Sequence, residues 1–130
     1  MSGSNIALDT SAAVAFLNDE PAMREKLIQF DHFHISAPAL GELFFGTWNS
    51  EQLARNQRKL EFFVGDCHVL DITAATARVY AQIRLDLKRR GKPIPENDLW
   101  IAAACLEHGL PLATRDAHFT HVSGLDIVNP

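Results

Sequence analysis

Short, continuous apolar runs alternate along the chain with longer stretches in which apolar side chains return every three or four residues. The first pattern is that of buried strands and the second that of helices with one buried face. Asn5 to Leu8 reads as a strand that stops at Asp9-Thr10-Ser11, residue types that cap a helix N-terminus, and Ala12 to Leu17 reads as the helix they start. A second helix is predicted from Pro21 to Phe30, with Pro in its first turn and Leu27 and Phe30 at helical spacing. His34 to Ala37 is the next strand. Pro38 then opens a helix whose stripe is Leu40, Leu43, Phe44 and Thr47, and another helix runs from Ser50 to about Val64, stopped by Gly65.

His68 to Ile72 is a third strand, and Thr73 caps a long helix that presents Ala77, Tyr80, Ile83 and Leu87 on one buried face before Gly91 ends it. Pro93 and Pro95 keep the following residues extended, so the next helix starts at Glu96 or Asn97 and runs to His108, with Gly109 as its stop. Pro111 to Thr114 and Asp126 to Val128 supply a fourth and a fifth strand. Met1 to Ser4 reads as a loose start, and no repeat or linker divides the rest. Strands alternating with helices predict one α/β domain over residues 1–130: a central, mainly parallel sheet, helices on both faces in three α/β/α layers, and right-handed crossovers.

The length of 130 residues fits one domain, and 47% hydrophobic with 22% charged residues is the balance of a globule. Apolar runs such as Ile101 to Leu106 are far short of the roughly 20 residues of a membrane span, and no basic segment leads into a signal-type core. A cytoplasmic protein with no membrane partner is expected. Cys67 and Cys105 lie far apart without a C-x-x-C spacing, as buried thiols in a reducing compartment do. Net charge is −4, from 12 Lys+Arg against 16 Asp+Glu, so the surface as a whole is no polycation and any nucleic-acid contact must be local. Arg84, Lys88, Arg89, Arg90 and Lys92 concentrate positive charge against Asp86 alone. Two readings fit that run: a solvated helix end whose cations complement the macrodipole, or a phosphate-binding segment.

Four acids fall at informative places. Asp9 follows the first strand, Glu42 lies in the early turns of the helix after the second, Asp98 opens a helix, and Asp116 follows the Pro111 to Thr114 strand. Open α/β sheets bind ligands beyond the carboxyl ends of their strands, so all four are expected to point into one crevice. Any one of them alone is more simply a cap or a solvated loop charge. Together they raise one another's pKa unless a cation sits among them. Mg²⁺ or Mn²⁺, octahedral ions that take oxygen ligands and keep several waters, suit carboxylates without a Cys/His cage. Such a cluster serves phosphodiester hydrolysis, in which metal lowers the pKa of a bound water and neutralises the leaving oxygen. Thr10, Ser11, Asn97 and Thr114 adjoin the acids and are candidates to orient ligands or waters, each equally suited to a cap or turn. His118 and His121 near Asp116 raise zinc as a minor option, in a stretch with no further soft ligand.

The segments Ala7-Leu8-Asp9-Thr10-Ser11, Ala39-Leu40-Gly41-Glu42-Leu43 with Gly46, Asn97-Asp98-Leu99-Trp100-Ile101-Ala102-Ala103 and Ala113-Thr114-Arg115-Asp116-Ala117-His118-Phe119 resemble those of the PIN-domain ribonucleases, specifically the VapC-type toxins of bacterial toxin–antitoxin pairs. The resemblance spans essentially the whole chain in order. It implies a PIN-like fold in which Asp9, Glu42, Asp98 and Asp116 bind Mg²⁺ or Mn²⁺, supported by Thr114 and the hydroxyls at positions 10 and 11. Ser11 stands where such toxins often carry Asn. The resemblance further implies an endoribonuclease that dimerises and is silenced by a VapB-type antitoxin covering the site, often by presenting an Arg to the acids. With RNA as the expected substrate, Arg84, Lys88, Arg89, Arg90, Lys92 and Arg115 become candidates for phosphate contact. Phe44, Phe45 and Trp48 are candidates for the antitoxin groove, although most aromatics at this spacing belong to a core.

Two other functions compete. A Mg²⁺-dependent phosphoryl-transfer domain also gathers acids at strand ends, but Asp9 is followed by Thr-Ser rather than by an Asp-x-Asp pattern, and no Lys follows the last strands as in a receiver. A non-catalytic module would use the acids to hold a structural cation or a basic peptide.

Overall fold

In the computed structural model, residues 4–130 are described. The elements follow in the order β1 (Asn5–Leu8), α1 (Thr10–Leu17), α2 (Pro21–Leu27), β2 (His32–Ser36), α3 (Ala37–Trp48), α4 (Leu53–Gly65), β3 (Cys67–Leu70), α5 (Ala74–Arg89), α6 (Glu96–Glu107), β4 (Leu112–Ala113), a 3-10 turn (Ala117–His121) and β5 (Ile127–Val128). All pairings in the sheet are parallel, in the order β3-β2-β1-β4-β5. The chain steps one way from β1 through β2 to β3, then crosses back to β4 and β5. Right-handed crossovers therefore put α1 to α4 on one face and α5 with α6 on the other. Alternation along β2 agrees: Phe33 meets Phe16 of α1 edge-on at 5.3 Å, while His34, one residue on, faces the side where α6 ends.

The two directions of winding part between β1 and β4, the switch point where such sheets leave a crevice. Ile6, Leu8, Ile35, Ile101, Leu112 and Phe119 are fully or almost fully buried beneath it, each worth roughly 1.5–3 kcal/mol in apolar transfer.

Local chemistry moved several boundaries. Ser50 does not start α4, because its hydroxyl donates to the Thr47 carbonyl at 2.7 Å and closes α3 instead; α4 begins at Leu53. The helix predicted to Phe30 stops at Leu27, and Ala37 belongs to α3 rather than to β2, whose last residue Ser36 caps that helix. On α5, Ala77 is exposed, and the buried position of that turn is Thr76. A capping box with Thr73 fixes Thr76, whose hydroxyl donates to Glu107 of α6 at 2.5 Å. Ser4, expected to be loose, is tied down: its carbonyl accepts from the amides of Asp31 and His32, and its own amide donates to the Asp31 carboxylate. Met1 to Gly3 lie outside the described residues. Cys67 and Cys105 are free thiols, both pushed up to about 12 chiefly by burial.

Candidate active site

Asp9 leaves β1 with extended backbone and caps α1, so its side chain stands at the crevice with only 4% of its surface exposed. Its Oδ1 accepts from Ser11 Oγ and from the Ala12 amide, both at 2.8 Å, and its Oδ2 accepts from Thr114 Oγ1. Thr114, itself buried at the end of β4, also accepts from the Asp116 amide at 2.9 Å. One hydroxyl thus sets both the carboxylate after β1 and the backbone that carries the carboxylate after β4. Burial pushes Asp9 up and the charge of Asp116 adds to this, while the three hydrogen bonds pull it back.

Asp98 sits in the first turn of α6, and its carboxyl is raised first by burial and then by the charges of Asp116 and Glu42, with His118 offsetting part of this. Glu42, exposed on α3, is oriented by Thr10 Oγ1 at 2.7 Å. All four acids line one open cavity of about 500 Å³, together with Thr10, Ser11, Glu20 and Arg115. Among the described residues, the metal-competent atoms of Asp98, Asp116 and His118 all lie within 4.8 Å of one another, a set that does not include Asp9 or Glu42.

His118 is the residue whose position the sequence did not foretell. Its Nδ1 lies 3.0 Å from Asp116 Oδ1 and 3.3 Å from Asp98 Oδ2, and its backbone amide donates to Asp116 Oδ1. The signal available was its place two residues after Asp116, in a turn that Asp116 caps. Among the described residues His121 is not part of the set with Asp98 and Asp116, so the two histidines do not form a joint zinc site; the His121 backbone carbonyl accepts from Arg90.

Other candidates separate in the same way. Asn97 is exposed and is not part of the cavity wall, because it lies on the solvent side of the α6 turn that directs Asp98 inward. Of the basic residues, Arg115 alone lines the acidic cavity, held by Glu20 at 2.5 Å. Arg84 and Lys88 line a separate hollow with Glu96 between α5 and α6, where Arg84 is bonded to the Tyr80 hydroxyl. Arg90 is paired with Asp86 at 2.7 Å, and Lys88, Arg89 and Lys92 are exposed. Phe45 and Trp48 are largely exposed, and Phe44 packs on the core; none of the three lines a hollow beside the acids. The neighbouring groove uses Glu42, Leu43, Gly46 and Thr47 of α3 instead, and a second, of about 560 Å³, is lined by Phe16, Phe33, Phe62 and Phe63.

Comparison with known proteins agrees with this geometry. The PIN domain family model matches residues 6–125. The chain is 35% identical over 121 residues to the tRNA(fMet)-specific endonuclease VapC of Shigella flexneri, covering 91% of this chain and 92% of that protein. It is 29% identical over 127 residues to ribonuclease VapC2 of Rickettsia felis, with 94% and 95% covered. A chain in the crystal structure of VapBC2 from Rickettsia felis bound to a promoter DNA fragment superposes with a TM-score of 0.88 at 27% identity, covering 97% of this chain and 98% of that one. The DNA-bound VapBC of Salmonella typhimurium gives the same score at 29% identity and the same coverage. The chain belongs to the PIN-domain family, and within it to the VapC ribonucleases.

Proposed function

We propose that this chain is a Mg²⁺- or Mn²⁺-dependent endoribonuclease acting as the toxin of a toxin–antitoxin pair. The observation that carries the reading is the convergence of Asp9, Asp98 and Asp116, with Glu42 at the rim, on one cavity at the switch point of a parallel sheet. Burial and mutual repulsion raise Asp9 and Asp98, so the apo site has a deficit of positive charge that a divalent ion would remove. The donors are carboxylate oxygens and one imidazole, which fits a hard or borderline ion. Asp9, Asp98 and Asp116 would hold it, and the bound ion would supply Lewis acidity toward water and the phosphodiester.

The protein's own groups orient the rest. Three hydrogen bonds fix the Asp9 carboxylate, two on Oδ1 and one on Oδ2, and leave one lone-pair site of Oδ2 for a ligand. Glu42, held by Thr10, stands at the mouth where it takes the proton of an incoming water. Water oxygen adds to phosphorus as the bond to the 3′ oxygen breaks, and the proton ends on that oxygen, leaving a 5′-phosphate and a 3′-hydroxyl. Arg115, held over the cavity by Glu20, contacts a flanking phosphate. Similarity to chains of VapBC assemblies supports a VapB-type antitoxin as the silencing partner, and a toxin homodimer acting in the cytoplasm completes the proposal.

The test is cleavage of end-labelled total RNA by the purified protein with Mn²⁺ or Mg²⁺, beside EDTA and an Asp98→Asn control. Because a relative is named for tRNA(fMet), fragments of that tRNA are the first products to look for. Metal-dependent cuts that vanish in the variant support the reading. A 2′,3′-cyclic phosphate at the cut would contradict the water mechanism, and intact RNA in every lane would favour a non-catalytic binding module.

A further inference from the structure

Resting on the metal-dependent reading above, we infer that His118 is a nitrogen ligand of the same metal centre and biases it toward Mn²⁺ over Mg²⁺. Three placements carry this. His118 Nδ1 lies 3.0 Å from Asp116 Oδ1 and 3.3 Å from Asp98 Oδ2, so one imidazole nitrogen and two carboxylate oxygens from separate elements converge on a shared point. Those spacings match the edge between adjacent donors around an octahedral ion, roughly 3 Å for bonds of about 2.1 Å. The hydrogen bonds from the Asp116 amide to Thr114 and from the His118 amide to Asp116 fix the backbone of the turn, so the exposed ring is carried on a fixed frame and held by its two carboxylate contacts.

The chemistry follows from the donor type. Mg²⁺ is an oxygen-seeking ion that binds through one or two carboxylates and waters, whereas the first-row transition ions accept imidazole, with affinities for mixed N/O sites rising from Mn²⁺ onward. Asp98 and Asp116 alone make a site open to either ion. Adding Nδ1 makes the site selective, because only the transition ion gains from the nitrogen.

Pulsed EPR on the full chain with Mn²⁺ as the probe tests this. The wild type should show ¹⁴N modulation from a directly bound imidazole, replaced by the ¹⁵N pattern in uniformly ¹⁵N-labelled protein, and His118→Ala should lose it. In parallel titrations, His118→Ala and His118→Gln should weaken Mn²⁺ by at least about 10-fold while changing Mg²⁺ by less than about 3-fold. Both variants are checked for an unchanged circular dichroism spectrum; His118→Gln, which can still bond to the acids, serves if His118→Ala is unfolded. Mn²⁺ bound by the acids without nitrogen modulation, or equal losses for the two ions, would overturn the role of His118 and leave the nuclease reading intact. Binding of Mg²⁺ without Mn²⁺ would likewise overturn only the role of His118, and failure of both ions to bind would overturn both readings.

Discussion

The two ends of the one parallel sheet gather titratable groups in opposite ways. At the carboxyl ends, Asp9, Asp98 and Asp116 share a cavity with Glu42, and burial together with mutual repulsion raises Asp9 and Asp98. Toward the amino ends, His34 and His68 face each other across β2 and β3 with rings stacked at 4.9 Å, and His32 meets His68 edge-on at 5.6 Å. Imidazoles crowd at little cost because they can stay neutral at physiological pH, and burial with His68, His32 and His108 nearby holds His34 below its usual range. Carboxylates have no such escape near pH 7. A cluster of like groups therefore points to a missing counterion only where its members stay charged, and on this sheet that is the acidic end.

The largest break in this comparison is chemical. Asp98→Asn should lower RNA cleavage by more than about 100-fold, exceeding the 10- to 100-fold typical of losing a group that only supports a metal ligand, whereas His34→Gln should leave the rate unchanged. Gel-resolved initial rates of the two variants measured side by side check it. Thr114→Val comes next. It removes both the donor to Asp9 and the acceptor for the Asp116 amide, so cleavage should fall about 10- to 100-fold and stability by about 1–3 kcal/mol, read by the same assay and by urea unfolding.

A pH scan sharpens the other end. The folded pKa of His34 lies below its ordinary value of 6.5, so the unfolded chain takes up the proton first. The stability tied to its neutral form is complete above the unfolded pKa and is lost as pH falls through it toward the folded one. The melting temperature of the wild type should drop between about pH 7 and 5.5 more steeply than that of His34→Gln, which carries no titrating ring there. The smallest effect belongs to Arg115→Ala, which should reduce the salt dependence of RNA binding by about one phosphate contact, measured by fluorescence anisotropy across a salt series.

Much of this is legible in the sequence alone. Asp9 and Asp116 follow strand ends, Asp98 begins a helix and Glu42 lies in the early turns of another, and topology then delivers all four to one crevice. The alternation that gave five strands also gave the parallel sheet. What stayed hidden depended on side-chain competition. Ser50 carried the signature of a helix start but was taken by the Thr47 carbonyl. Ala77 and Thr76 both fit the buried stripe, and only the capping box and Glu107 decide for Thr76. His118 paired in sequence with His121 at one-turn spacing, yet the caps of Asp116 turn it toward Asp98. Arg84 and Arg115 read alike as cations, but their partners Tyr80 and Glu20 put them in different hollows. Periodicity fixes faces; it does not choose among neighbours on a face.

The most direct test of the acidic end is thermal unfolding of wild-type and Asp98→Asn protein with EDTA and with saturating Mn²⁺ or Mg²⁺. Binding at about 100 times Kd adds about 2.7 kcal/mol to the folded state, so the wild type should melt about 10 °C higher with metal, and the variant should gain much less. Equal melting temperatures with and without metal in the wild type, or the same rise in both proteins, would contradict a site that these carboxylates build for a divalent ion.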